Sequence, residues 1–299
     1  MALEIKGKQS MTQFEKVTPL RRSDAGVPVK VIAVTGGKGG VGKTSVCANL
    51  ALALSLMNRR VMLLDGDLGL ANANLMFGVR PRMTLRNVVA GNCTLNEAVT
   101  CGPAGLKLVA GASGFADMSA LSPIQHAGII SAFSQLEGKL DVLLVDTAPG
   151  ISDSVLQFAG AANHALVLVK DEPASLTDAY AIVKLLHQRH GVERFSIVTN
   201  MVRHDSGQKV FDRLSRTVAR FLPVVLNHMG SIPFDDRMMR AIRRQDPVIT
   251  AFPRSLATLA IKRLAHRIDA WTPPAVATGR PQFFVERLFR GQGLTGVAS

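Results

Sequence analysis

Aromatic residues are scarce in this chain, at 5% of its 299 positions, while Ala, Val, Leu and Gly dominate. That balance suits tightly packed helices on a parallel sheet. Cysteine is nearly absent: Cys47, Cys93 and Cys101 show no C-x-x-C spacing and read as free thiols in a reducing cytosol. The first ten residues, "MALEIKGKQS", lack the apolar stretch of a secretory signal, and the apolar runs elsewhere are too short to span a membrane. A soluble, cytoplasmic protein is expected. Acidic residues are also in short supply, 22 against 35 basic ones, for a formal charge of +13. Such an excess favours anionic partners: nucleotides, nucleic acid, anionic lipid or an acidic protein face. Part of it is local. Arg237, Arg240, Arg243, Arg244, Arg254, Lys262, Arg263 and Arg267 share their segment with one acid, Asp246. A solvated helical face and a partner-binding surface are equally open readings of that segment.

What the chain does have is 47% hydrophobic residues, enough for one large domain with a substantial core. Residues 1–28 are polar, unpatterned and broken by Pro19 and Pro28, as in a mobile leader. Short bursts follow: "VKVIAVT", "RVMLLDG", "LKLVAG", "DVLLVDT", "HALVLVK", "FSIVTN" and "VVLNHMGSI". Rich in Val, Ile and Leu and often ending in Gly, Asp or Asn, they predict buried parallel strands with functional residues at their carboxyl ends. Helix-length segments lie between them at 44–57, 123–136, 175–190, 208–221 and 255–270, and Ser175 with Asp178 reads as a capping box. The alternation predicts an α/β fold over 29–271: a doubly wound, mostly parallel sheet with helices on both faces. Residues 272–299 read as a Pro/Gly/Ala linker and a short tail.

"GKGGVGKT", Gly37 to Thr44, follows the first strand and opens a helix, the context of a phosphate-binding loop. Its glycines let backbone N–H groups turn inward around phosphates, and the helix N-terminus adds a positive dipole end. Lys43 is the candidate to neutralise the β- and γ-phosphates, and Thr44 to ligate Mg²⁺. Gly37, Lys38, Gly39, Gly40, Val41, Gly42 and Ser45 complete the loop. Asp146, ending "DVLLVD", is the candidate carboxylate for the Mg²⁺. Asp67, just past "VMLLDG", is a candidate to orient the attacking water and reach the metal through its shell. Capping of the following turn is the alternative for Asp67, and an equal one for Asp65. In "TNMVRHD", Met201 and Arg203 stand where a guanine-binding N-K-x-D segment has Lys and Asp, so ATP is favoured.

"KGGVGKT" with "DGDLGLAN" and "VDTAPGI" resembles the deviant Walker A ATPases, the MinD/ParA family, over most of residues 29–270. The second lysine inside the loop is the specific mark. The resemblance implies that Lys38 reaches the partner's ATP phosphates across a dimer interface, that hydrolysis is slow, and that Asp67 helps position water. It places Asn200 and "IPFDD", with Ile232, Pro233 and Phe234, on the adenine side. Softer strings, "LSPIQHAGIISAF", "DEPASLTDAYAIVKLL", "AFPRS" and "FFVERL", resemble the family's flagellar-number regulators. That subgroup implies restraint of an enhancer-binding transcriptional activator and action against a signal-recognition-type GTPase that places flagella. Asn74, where relatives often carry Asp, is a small departure. A leader segment that stimulates the GTPase in some members is reduced here to Leu20 and Arg21 behind Pro19, which argues against that activity.

In "QFFVERLFRG", helical spacing would put Phe284, Val285, Leu288 and Phe289 on one face, with Glu286, Arg287 and Arg290 largely opposite and Phe283 on the polar side. Such a tail can lie in an anionic membrane interface or dock on its own domain, and the resemblance favours the membrane. The expectation is an ATP-dependent homodimer, cytoplasmic and reversibly peripheral on the inner face of the cell membrane. Nucleic acid is not expected as a direct partner, although a DNA-segregation ATPase and a division-site selector are the rival readings.

Overall fold

The computed structural model describes residues 29–69, 71–111, 121–136, 140–203, 206–271 and 282–284. Its strands are β1 (Lys30–Thr35), β2 (Val61–Gly66), β3 (Val99–Cys101), β4 (Lys107–Val109), β5 (Val142–Thr147), β6 (His164–Val169), β7 (Arg194–Val202) and β8 (Val225–Pro233). They form one sheet in the order β3-β4-β2-β5-β1-β6-β7-β8. All pairs are parallel except β3 with β4. The longer helices are α1 (Lys43–Leu56), α2 (Pro123–Ala132), α3 (Asp153–Ala161), α4 (Pro173–His190), α5 (Ser206–Phe221), α6 (Asp236–Arg243) and α7 (Leu256–Asp269).

The strands are apolar throughout because both sheet faces are covered, so alternation sorts residues between two cores instead of between core and water. Val31 and Ala33 of β1 join Leu143, Phe158, Ile182 and Leu186 on the α3–α4 side. Ile32 and Val34 join Leu50, Leu54, Ile261 and Ala265 on the α1–α7 side. Helix starts follow local chemistry. The Ser122 hydroxyl accepts from Gln125 N and the Gln125 carboxamide from Ser122 N, with Pro123 in the first turn. Ser255 caps α7 through Thr258 N. The predicted Ser175–Asp178 capping box is not formed. Pro173, with its fixed φ, starts α4 two residues earlier, and Ser175 Oγ instead accepts from Lys170 N at 3.0 Å.

The sheet ends decide where chemistry can occur. Gly36 follows β1, Asp65 and Asp146 are paired neighbours near the carboxyl ends of β2 and β5, and Asn200 is on β7. Chain order reverses around β1, so these residues meet at the topological switch point, where open α/β sheets bind ligands.

The tail runs differently from its helical reading. Phe283 and Phe284 are buried, Phe283 N donates to Ala161 O at the end of α3, and both rings meet Phe133 edge-on. Phe158 also stacks with Phe283 at 6.4 Å. Phe284 has φ 56, outside the right-handed helical region. Phe284 is thus a plug in its own domain here, not part of a free membrane face; Val285, Leu288 and Phe289, like the leader, lie outside the described residues. Burying such a ring contributes about 1.5–3 kcal/mol. Phe283→Ala is therefore expected to lower the domain's Tm by several degrees and to speed hydrogen exchange of the residue 283 amide about tenfold or more.

Candidate functional site

The loop between β1 and α1 is shaped by close approaches. A Cβ on Gly37 would lie 2.5 Å from Asp178 Cβ and 2.7 Å from Asp178 O, so this position abuts α4 directly. Gly42, the cap residue of α1, has φ 90, and no side chain caps the helix. That leaves first-turn amides of α1 available to an anion, the arrangement a phosphate needs. Asn200, buried on β7, donates from Nδ2 to Val41 O at 2.7 Å and so ties the loop to the sheet.

Lys43 and Lys38 behave differently. Lys43 is buried and folds back to donate to the Lys38 carbonyl at 3.3 Å. Burial lowers its pKa, opposed by Asp146 and Asp67. The Lys38 side chain is 52% exposed and points to the Glu172 carboxylate at 4.0 Å. The two loop lysines thus differ: Lys43 is buried against the loop backbone, and the Lys38 side chain is exposed beside α4.

Asp146 is buried, and its Oδ1 has no hydrogen-bond partner among the described residues. Burial pushes its carboxyl well above the usual range and Asp65 adds to this; the Thr44 hydroxyl and then Lys43 oppose. A buried, unpartnered carboxylate oxygen beside a threonine hydroxyl is a fitting donor set for a hard divalent cation. Thr44 and Asp146 would hold Mg²⁺ with a nucleotide, and the ion would neutralise phosphate charge there. Asp67 is half-buried on the loop after β2 and acts electrostatically on both Lys43 and Asp146.

For Asp65 the capping alternative holds. One oxygen accepts from Asn72 N and Ala73 N, both at 2.8 Å, and the other from Asp67 N at 3.2 Å. It organises the segment carrying Asp67. Burial outweighs these bonds and pushes its pKa up to about 6 from 3.8. The folded state therefore binds this proton more tightly than the unfolded chain, and its stabilising effect fades as pH rises from about 4 to about 6. In metal-free protein, the Tm of wild type relative to Asp65→Asn is expected to be several degrees more favourable at pH 4.5 than at pH 7.5, by thermal denaturation in chelator.

On the other side of the loop lies an apolar cleft. Ile232, Pro233, Phe234 and Asn200 line it, together with Met201, in sequence a departure from N-K-x-D, and Met238, which no sequence motif singles out. Ser45 and Gly42 form its loop side. Arg203, in sequence only a mismatch to a guanine motif, stacks its guanidinium 4.5 Å from the Phe234 ring centre. Asp235 also lines the cleft, but its oxygens accept from Arg237 N and Ala257 N, leaving it poorly placed to take a guanine edge. Asn49 is a further residue that the motifs do not reveal. Fully buried in α1, it donates to Ser45 O and accepts from Ile249 N, locking the loop helix to the turn behind the cleft. A lone amide within "CANLALALSL" is the available signal.

A family model described as ParA, NUBPL iron-transfer P-loop NTPase, matches residues 28–269. The chain belongs to the ParA/MinD family of P-loop ATPases. It is 52% identical over 262 residues to the antiactivator FleN of Pseudomonas aeruginosa, covering 87% of this chain and 94% of that protein. It is 30% identical to the flagellum site-determining protein YlxH of Helicobacter pylori, across 79% of this chain and 80% of the relative. Among solved structures it resembles the septum site-determining protein MinD of Pyrococcus horikoshii complexed with Mg-ADP. That likeness has a TM-score of 0.69 at 25% identity and covers 81% of this chain and 97% of the other. The MinD-like P-loop fold, and the Mg-ADP held by that relative, agree with a phosphate loop beside donors suited to a divalent cation. Among the described residues, no helix is long and apolar enough to cross a membrane.

Proposed function

We propose that this chain is a slow, regulatory ATPase that dimerises on ATP and sets flagellar number. What supports this reading is that Lys43, Thr44 and Asp146 lie together beside the loop, while the Lys38 side chain is exposed and turned to Glu172. The 52% identity to FleN across nearly all of that protein gives the switch its biological object. In this reading Lys38 completes the partner's site, Asp67 positions water, and the ATP dimer restrains a flagellar transcriptional activator. The same dimer opposes a signal-recognition-type GTPase that places flagella. The protein is cytoplasmic and reversibly peripheral on the inner membrane face, through a tail that leaves its dock when the dimer forms. Two tails in one dimer bind an anionic surface where one binds only marginally. Nucleic acid is not a direct partner.

Expression in a flagellated bacterium lacking its own number regulator tests this. Wild type is expected to return filament counts to normal, and Lys43→Ala to leave them raised. Unchanged counts with well-expressed wild type would reject the flagellar role, and salt-sensitive ATP-dependent DNA binding would favour the segregation reading instead.

A further inference from the structure

Glu172 stands beside the phosphate loop, at the start of α4. Its backbone caps α4, but its side chain makes no capping hydrogen bond, so the carboxylate is available for other work. One oxygen lies 2.6 Å from Lys170 Nζ, the other 4.0 Å from Lys38 Nζ. Three contacts fix this arrangement relative to the phosphate loop. Lys170 N donates to Ser175 Oγ, Glu172 N donates to Lys170 O, and Gly37 abuts Asp178 with no room for a side chain. Glu172 is thus held at the start of α4, one end fastened by Lys170, facing the exposed loop lysine.

We propose that Glu172 is a positioning residue for Lys38. In the separate protomer it draws the Lys38 ammonium back over α4, and assembly of the ATP dimer gives up that pairing. This rests on the reading of Lys38 as a residue that acts in trans. The exchange is selective for the nucleotide's charge. A carboxylate already shared with Lys170 competes poorly against a triphosphate and better against a diphosphate, so the restraint raises the threshold for assembly most where ATP is absent. Exposed ion pairs are individually weak, worth roughly a two- to fivefold bias. A symmetric dimer breaks two of them, so the bias compounds to about four- to twenty-five-fold in the dimer constant.

Two measurements on full-length protein test it. The first is the acetylation rate of Lys38 in nucleotide-free monomer by mass spectrometry, referenced to Lys262. The second is the concentration for half-dimerisation with a non-hydrolysable ATP analogue. Glu172→Gln, which keeps the backbone cap and side-chain length, is expected to speed Lys38 labelling about twofold or more. It should lower the half-dimerisation concentration by the factor above, with monomer affinity for the analogue unchanged. High salt should bring wild type to the level of the variant. A merely structural Glu172 would leave the labelling unchanged, and that result overturns the proposal. Faster labelling with an unchanged or weakened dimer also overturns it, since the carboxylate would then serve the dimer itself. A Lys38→Ala protein that dimerises normally is a different failure: it removes the trans reading and, with it, the consequence drawn here.

Discussion

Lys38→Ala is expected to bind ATP within about threefold of wild type and to remain monomeric in light scattering at concentrations where wild type with ATP is fully dimeric. The separation follows from where the two loop lysines stand. Lys43 is buried, donates to the loop backbone and feels Asp146 and Asp67, so in the proposed site it supplies the charge that meets nucleotide within the protomer. The acceptor for Lys43 is the Lys38 carbonyl, which alanine retains, so the substitution leaves the loop's internal bond in place. What is removed is an exposed ammonium. A hydrogen bond to a charged group contributes about 1.5–3 kcal/mol, and a dimer with two such lysines loses it twice. The dimer constant should therefore weaken by about a hundredfold or more. A variant that dimerises like wild type would place Lys38 outside the interface.

Much of this is legible in the sequence because parallel strands buried on both faces leave uninterrupted Val, Ile and Leu runs. All seven predicted bursts are strands, and their carboxyl ends bring Asp65, Asp146 and Asn200 to the loop. The misses each have a physical cause. β3 has three residues and pairs antiparallel at the edge, too short to leave a pattern. α3 is hidden because it follows the glycine turn after Asp146. Met201 and Met238 meet only when β7 and α6 pack, and Asn49 meets Ile249 only when α1 packs on that turn, which periodicity within one segment cannot report. Helical spacing in the tail puts Phe283 on the polar side. The fold instead turns the chain at Phe284 and buries both rings against Phe133. An aromatic pair beside a basic stretch carries the same signature whether its partner is lipid or protein.

Asp67→Ala and Lys43→Ala are expected to fail in opposite ways. Asp67 is half-buried and its backbone, held by Asp65, survives replacement of the side chain. Losing the side chain leaves the loop, Thr44 and Asp146 intact, so nucleotide affinity should hold. Hydrolysis should fall by about a hundredfold or more, the usual contribution of a positioned acid–base group. Removing a negative charge next to Lys43 and Asp146 also lessens repulsion of the phosphates. The result is a long-lived ATP dimer, seen as a stable dimer peak with little phosphate release. Lys43→Ala removes the buried cation that, in the proposed site, faces the phosphates in the ground state as well as during reaction. Its ATP affinity should drop by at least about tenfold, the worth of one charged hydrogen bond, and no dimer should form at ordinary ATP concentrations. The trapped Asp67→Ala dimer should also hold the activator more persistently than wild type in a pull-down, because in the proposed switch restraint follows the ATP state and not turnover. Matching losses of ATP binding in the two variants would show that Asp67 supports the nucleotide itself and would withdraw its role in positioning water.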